Sequence, residues 1–285
     1  MTIFDEIYEK VPADQKKQLL GFRATHPYQA VPLNGLPWQY IVAGKGPRTL
    51  LLLPGAFMRA DMWLYLFTTL EPTYRLLAPD APPGVARMEE MGRALVEMLD
   101  REGVKAATVL GYSTGGDIAQ CFLQEHSERV DGLILSHCTA LNATSAERLD
   151  SWRWLVELLP FPLAQVLLRG RALLYPPSCK WASFTRAYFR ERIDAIDKKT
   201  LLRSYQTTVE NARAFTFRPE VVENWPGTIL ILSSKDDESV FRVEELQARY
   251  PRARKYIFEG GGQHIALLFP EVYTSVLRIF LDGVF

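Results

Sequence analysis

Residues 107–123 read Ala107-Thr108-Val109-Leu110-Gly111-Tyr112-Ser113-Thr114-Gly115-Gly116-Asp117-Ile118-Ala119-Gln120-Cys121-Phe122-Leu123. The short apolar run at 107–110 reads as a buried strand, and from Asp117 onward the apolar residues return at helical spacing. Between the two lies a G-x-S-x-G turn, Gly111-Tyr112-Ser113-Thr114-Gly115. A strand that enters a helix through so short a turn lifts the central serine out of the fold on strained backbone. The flanking glycines let neighbouring elements approach without a clashing Cβ. Strand, sharp turn and helix together give this otherwise weak motif its meaning.

On these residues the chain resembles the α/β-hydrolase family, and the resemblance runs over almost its full length. It implies an α/β fold in which helices wrap a mostly parallel central sheet, with an inserted helical cap. It also implies a triad in the order serine, acid, histidine, with Ser113 as the nucleophile and the other two in loops after the last two strands. The chain has four histidines. His264 ends Gly260-Gly261-Gly262-Gln263-His264, directly after the strand-like residues 255–258 and before a helical stretch at 270–281, as in the family's histidine loop. His26 and His126 lie in polar sequence and are expected at the surface. His137 follows a strand at 132–135 and is expected in the core or in support of the site. The acid is expected in Ser233-Ser234-Lys235-Asp236-Asp237, where the family's spacing from Ser234 selects Asp237, with Asp236 as the alternative. Two backbone N–H groups should form an oxyanion hole. One is that of Thr114; the other comes from Pro54-Gly55-Ala56-Phe57, with Ala56 first and Phe57 second. Many relatives carry His-Gly where this chain has Pro54-Gly55, a tolerable change because only a backbone amide is needed.

Composition agrees with such a fold. The chain has 285 residues, 48% of them hydrophobic, enough for a large α/β domain with an insertion. Its formal net charge is zero, so the overall balance predicts no nucleic-acid partner. The first ten residues lack the basic start and apolar core of a signal peptide. No stretch reaches the roughly 18 apolar residues of a membrane span. Cys121, Cys138 and Cys179 are few, odd in number and far apart, which suits a reducing cytoplasm. No ligand cluster suggests a metal, and no cofactor is expected.

Apolar runs beginning near 49, 75, 107, 132, 228 and 255 are the expected parallel strands. Residues 39–43 add an early antiparallel one. Residues 3–24 look helical, with Asp14-Gln15-Lys16-Lys17 opening a second helix, and three further apolar stripes mark helices: Met62, Trp63, Leu66, Phe67 and Leu70; Met91, Leu95 and Leu99; Val272, Val276 and Phe280. Most strand starts lie about 25–30 residues apart, a normal βα unit, but the gap from 132 to 228 is far longer. Residues 139–225 therefore read as a helical cap, with 1–138 and 226–285 as the core domain. Aromatics in the cap (Trp152, Trp154, Phe161, Tyr175, Trp181, Phe184, Tyr188, Phe189) suggest an apolar pocket between cap and core, with only a few of them facing a ligand. Arg169, Arg171, Arg186, Arg190, Arg192, Lys198 and Lys199 give the cap a basic excess, most simply as solvated helix faces.

The expected function is hydrolysis of a small or medium, mainly apolar carboxylic ester, with a small-molecule substrate as the partner. Two alternatives remain open. Residues 250–254 and the cap pattern also resemble the maspardin branch, whose members can lack a complete triad and act as binding or adaptor proteins. Carbon–carbon bond hydrolases of ring-cleavage products commonly place tryptophan after the histidine, where this chain has Ile265.

Overall fold

The structure, a computed structural model, describes residues 2–82, 87–170 and 179–283. Eight strands form a sheet: β1 (Gln29–Leu33), β2 (Leu36–Ala43), β3 (Thr49–Leu53), β4 (Arg75–Asp80), β5 (Ala107–Tyr112), β6 (Val130–Ser136), β7 (Thr228–Ser234) and β8 (Arg254–Phe258). Their order is β1-β2-β4-β3-β5-β6-β7-β8. From β4 to β8 all pairs are parallel, while β2 pairs antiparallel with both β1 and β4. All six expected parallel strands form, as does the antiparallel one. The family resemblance left β1 unread. It is closed onto β2 by Asn34-Gly35, both at positive φ (47° and 74°), a two-residue turn whose twist matches that of the flanking strands.

The sheet is covered on both faces, and β3 shows how. All five of its residues are buried, as expected for a central parallel strand. Because side chains alternate, Leu50 and Leu52 enter one apolar layer while Leu51 and Leu53 enter the other. The first layer is built with α1 (Ile3–Ile7), α2 (Ala13–Thr25), α3 (Leu64–Leu70) and the C-terminal helix. The second is built with α4 (Met88–Arg101) and α5 (Thr114–Glu125). The expected helical stretch at 3–24 divides at residues 8–12, and the expected second helix starts at Ala13, with Pro12 as the N-cap of α2.

Among the described residues five helices lie between β6 and β7: α6 (Ala143–Leu158), α7 (Phe161–Gly170), α8 (Ala182–Asp194), α9 (Lys198–Ala214) and α10 (Pro219–Asn224). After β7 come α11 (Val243–Arg249), α12 (Ile265–Leu268) and α13 (Pro270–Leu281). Of the expected α13 stripe Val276 and Phe280 are buried, together with Tyr273 and Leu277, whereas Val272 is 48% exposed. Among the described residues no single helix is long and apolar enough to cross a membrane.

Two of the histidines expected at the surface are half-buried instead. His26 stacks on Phe22, with ring centroids 4.3 Å apart, and its Nε2 lies 2.9 Å from Glu71 Oε2. His126 packs against Phe122 and sits where a Cβ on Gly92 would meet its ring. In each case an aromatic one turn earlier supplies a ring contact, and at His26 the neighbouring Thr25 hydroxyl also meets Nδ1 at 2.8 Å.

Candidate active site

Ser113 sits between β5 and α5 at φ 53°, ψ −122°, a conformation L-residues adopt only when their surroundings impose it. Its N–H donates to Ser136 O (2.9 Å) and its carbonyl accepts from Gly116 N (2.8 Å), so the turn is fixed at both ends. The glycines are steric requirements. A Cβ on Gly115 would collide with the Leu53 carbonyl, and one on Gly116 would fall 2.5 Å from Cys138 Sγ. Ser113 is the N-cap of α5, yet its side chain makes no capping bond. The hydroxyl instead accepts from Gln263 Nε2 at 3.1 Å. Gln263 is the site residue that sequence reasoning passed over; its signal was a polar side chain adjoining the loop histidine.

The loop bearing Gln263 and His264 is held from several directions. Gly261 (φ 104°) and Gly262 (φ 47°) turn the chain into a 3₁₀ segment, Gly262–His264. Asp236 accepts from the amides of Gly261 (3.1 Å) and Gly262 (2.9 Å) through its two carboxylate oxygens. The Tyr112 hydroxyl donates to the Gln263 carbonyl. His264 is buried, its ring 4.4 Å from that of Phe189 on α8 in an edge-on contact. Asp237 is half-buried, starts a 3₁₀ turn and accepts from the Ser239 hydroxyl. The two aspartates therefore have separate local tasks, one pinning the glycine loop and the other facing Ser239.

His137 lies behind the loop in a buried polar chain. Its two ring nitrogens face Ser136 Oγ (3.0 Å) and Ser234 Oγ (2.9 Å), and Tyr273 donates to Ser136 Oγ. Burial, reinforced by repulsion from His264, pushes its pKa down to about 3, so it is neutral and supports the fold. On the elbow helix, burial pushes the Asp117 carboxyl up to about 7, with Arg148 opposing. Among the described residues, no group of three or more His, Cys, Asp and Glu side chains is placed to hold a metal ion.

A cavity of about 840 Å³ opens beside the turn, reaching Gly55, Ala56, Phe57 and Thr114. A Cβ on Gly55 would lie 3.2 Å from Ser113 Cβ, so the loop after β3 abuts the serine. Phe57 takes positive φ (66°) and its carbonyl accepts from Arg192 Nε at 3.3 Å. The core supplies an apolar floor, including Trp38, Leu53, Met88, Met91 and Ile118. The opposite wall is α9 with the end of α8, and it brings Arg192, Lys199 and Arg203.

The cap aromatics stand apart from this cavity, although Phe189 meets the His264 ring. None of the seven described aromatics of 139–225 singled out above lines this cavity; Tyr175, like Arg171, lies outside the described residues. Trp181, Phe184 and Tyr188 are buried in the layer beneath α8, where Tyr8 packs on Phe184, and Trp154 is 60% exposed. The basic residues also divide. Arg169 and Arg190 pair with Asp194 and Glu6 respectively, and Lys198 donates to the Glu157 and Leu159 carbonyls.

A sheet of this order with a strained serine between its fifth strand and the next helix defines an α/β hydrolase. The model of the alpha/beta hydrolase family matches residues 50–276, and the chain belongs to that family. A pimeloyl-[acyl-carrier protein] methyl ester esterase from Yersinia enterocolitica is 34% identical over 97 residues, 33% of this chain and 37% of that protein. A putative carbamate hydrolase, RutD, from Caulobacter segnis is 25% identical over 210 residues, 71% of this chain and 75% of that protein. The chain spans about a third of the length of the curated relatives it matches most significantly. An esterase structure from Thermogutta terrifontis superposes with TM-score 0.74 at 19% identity, covering 90% of this chain and 98% of that one, a likeness of fold.

Proposed function

We infer that the protein is a serine hydrolase acting on a small or medium, mainly apolar carboxylic ester, with residues 139–225 as its cap and 1–138 and 226–285 as its core. The observation that carries this reading is Ser113, raised at φ 53° beside the loop that borders an 840 Å³ cavity. Relatives that are esterases by name support the ester class. In this reading Ser113 Oγ attacks the ester carbonyl, and the N–H groups of Ala56 and Thr114 hold the oxyanion, with Phe57 as the alternative donor. His264 takes the serine proton and returns it to the leaving alcohol, while Asp237 orients the imidazole. Water activated by the same histidine then releases the acid. Gln263 donates to Ser113 Oγ and so leaves the hydroxyl proton for a base to accept. The zero net charge and three unpaired cysteines suit a cytoplasmic protein with a small-molecule partner.

The test is labelling by a fluorophosphonate. One equivalent should bind the wild type and none should bind Ser113→Ala, with the fold of both verified by circular dichroism. A folded wild type that takes up no reagent would exclude Ser113 as a nucleophile. A second reading, a binding protein that keeps the pocket with little turnover, rests on the resemblance of residues 250–254 to the maspardin branch. It predicts ester binding at the cavity with turnover near background.

A further inference from the structure

We propose that the cavity beside Ser113 takes an ester with an anionic head group, a carboxylate or a phosphate, and that Lys199 and Arg203 on α9 bind that head. This rests on the reading of Ser113 as the nucleophile and deepens it, by giving a mainly apolar substrate one charged end.

The basic residues of α9 are sorted by where they face. Lys198 and Arg213 lie outside the cavity and both are engaged: Lys198 donates to the Glu157 and Leu159 carbonyls, and Arg213 pairs with Asp150. Lys199 and Arg203 line the cavity. Neither has a side-chain hydrogen bond or ion pair among the described residues. They are four residues apart, so their like charges share one helix face and repel. The carboxylates along the cavity do not relieve them, because both are committed. Asp80 accepts from Arg59 Nε (2.5 Å) and Ala60 N (2.6 Å), and Asp197 accepts from Thr200 N (2.9 Å) and Thr200 Oγ1 (2.8 Å). An anionic ligand supplies the counter-charge.

The two walls of the cavity differ in the way such a ligand requires. On the α9 side Ser204 and Thr207 add hydroxyls to the two cations, and hydroxyl, ammonium and guanidinium groups all donate to the oxygens of an anion. The floor of Met88, Met91 and Ile118 carries no charge and suits an alkyl chain. Arg192 is committed to the Phe57 carbonyl (3.3 Å), on the loop that abuts the serine, and so leaves the head to α9. The chain then lies on the floor with the scissile ester at the Ser113 end and the anion on α9.

The experiment compares kcat/KM of the full chain for p-nitrophenyl monoesters of dicarboxylic acids, from butanedioate to decanedioate, with the same esters capped by methyl at the far carboxylate. A parallel series carries phosphate at the far end, and the larger ratio identifies the head. An exposed ion pair contributes up to about fivefold, so the two cations together should favour the anionic ester about 10-fold at its best chain length. The double variant Lys199→Gln/Arg203→Gln should bring that ratio near one, and Lys199→Glu/Arg203→Glu should reverse it. Arg213→Gln removes a charge from the same helix outside the cavity and should keep the ratio. Raising the ionic strength from about 0.05 to about 0.5 M should shrink the wild-type ratio, because salt screens exposed charges. A wild-type ratio near one for both heads at every length, or a ratio that Lys199→Gln/Arg203→Gln retains, would overturn the proposal and leave the hydrolase reading standing. If no ester is turned over, the hydrolase reading falls and the anion site is judged by calorimetric titration of the folded protein with octanedioate. Binding that Lys199→Gln/Arg203→Gln loses would sustain the site, and no binding by the wild type would end it.

Discussion

Asp236 and Asp237 are adjacent and chemically identical, yet they are placed in different circumstances. Asp236 uses both carboxylate oxygens on the amides of Gly261 and Gly262, whereas Asp237 faces Ser239. Replacing Asp236 by Asn removes one of two acceptors and leaves an amide N–H in the loop facing a donor. It should lower stability by about 1–2 kcal/mol, measured by urea titration, with a modest change in ester turnover. Asp237→Asn should leave stability nearly intact and lower kcat by up to about 10⁴, the loss seen when the orienting acid of a serine protease is neutralised. The reverse ranking would give the orienting role to Asp236. Spacing from Ser234 could name the pair but could not divide their tasks, because the division depends on which carboxylate meets the glycine loop. The same limit applies at residue 263. His264 was legible as the loop histidine, but the bond from Gln263 to Ser113 depends on the φ angles of Gly261 and Gly262 and the tight 3₁₀ turn they start.

At the scale of elements, the strands with continuous apolar runs were legible because a central parallel strand is buried on both faces, as all five residues of β3 are. β1 was not, since its exposed Gln29, Ala30 and Pro32 leave only Val31 and Leu33 as signal. The helices of 139–225 were legible from the length of the interval, and most of their aromatics as core, but not which layer those aromatics would cover. Half of an amphipathic helix faces inward whatever it covers, and here Phe184 and Tyr188 cover the layer under α8. The cavity draws its floor from α4 and α5 instead. That floor predicts how ester chain length is read. Each methylene buried on Met88, Met91 and Ile118 should add up to about 0.8 kcal/mol, or about fourfold in kcat/KM if the burial acts on the transition state. Over a series of p-nitrophenyl esters the rise should last a few carbons and then reverse. Met91→Trp should move the optimum to shorter chains and Met91→Ala to longer ones. An optimum unmoved by both would place the acyl chain outside this cavity.

Across the whole molecule, two buried groups, His137 after β6 and Asp117 in the first turn of α5, give the fold opposite responses to pH. His137 is held neutral, its pKa lowered from 6.5 to about 3 by burial and then by His264. The unfolded chain binds that proton first, so stability is lost as pH falls from about 6.5 toward 3. Asp117 is raised from 3.8 to about 7 by burial. Its unfolded carboxyl ionises first, so stability is lost as pH rises from about 4 through 7. At 1.4 kcal/mol per pH unit the limits are about 5 kcal/mol for His137 and about 4 kcal/mol for Asp117. Asp117→Asn should therefore raise the melting temperature at pH 8 and match the wild type at pH 4, because a neutral amide and a protonated carboxyl are alike in charge. His137→Asn suits the positive φ (50°) at that position better than most replacements. It should cost stability at every pH by weakening the contacts to Ser136 and Ser234, but it should flatten the decline between pH 6.5 and 4. Calorimetric scans of the three proteins across pH 4–8 separate these effects. Parallel curves for all three would mean that neither group titrates differently in the folded chain. A steeper acid limb in His137→Asn would reverse the sign assigned to that histidine, and with it the claim that the polar chain from Tyr273 to Ser234 holds a neutral ring behind the site.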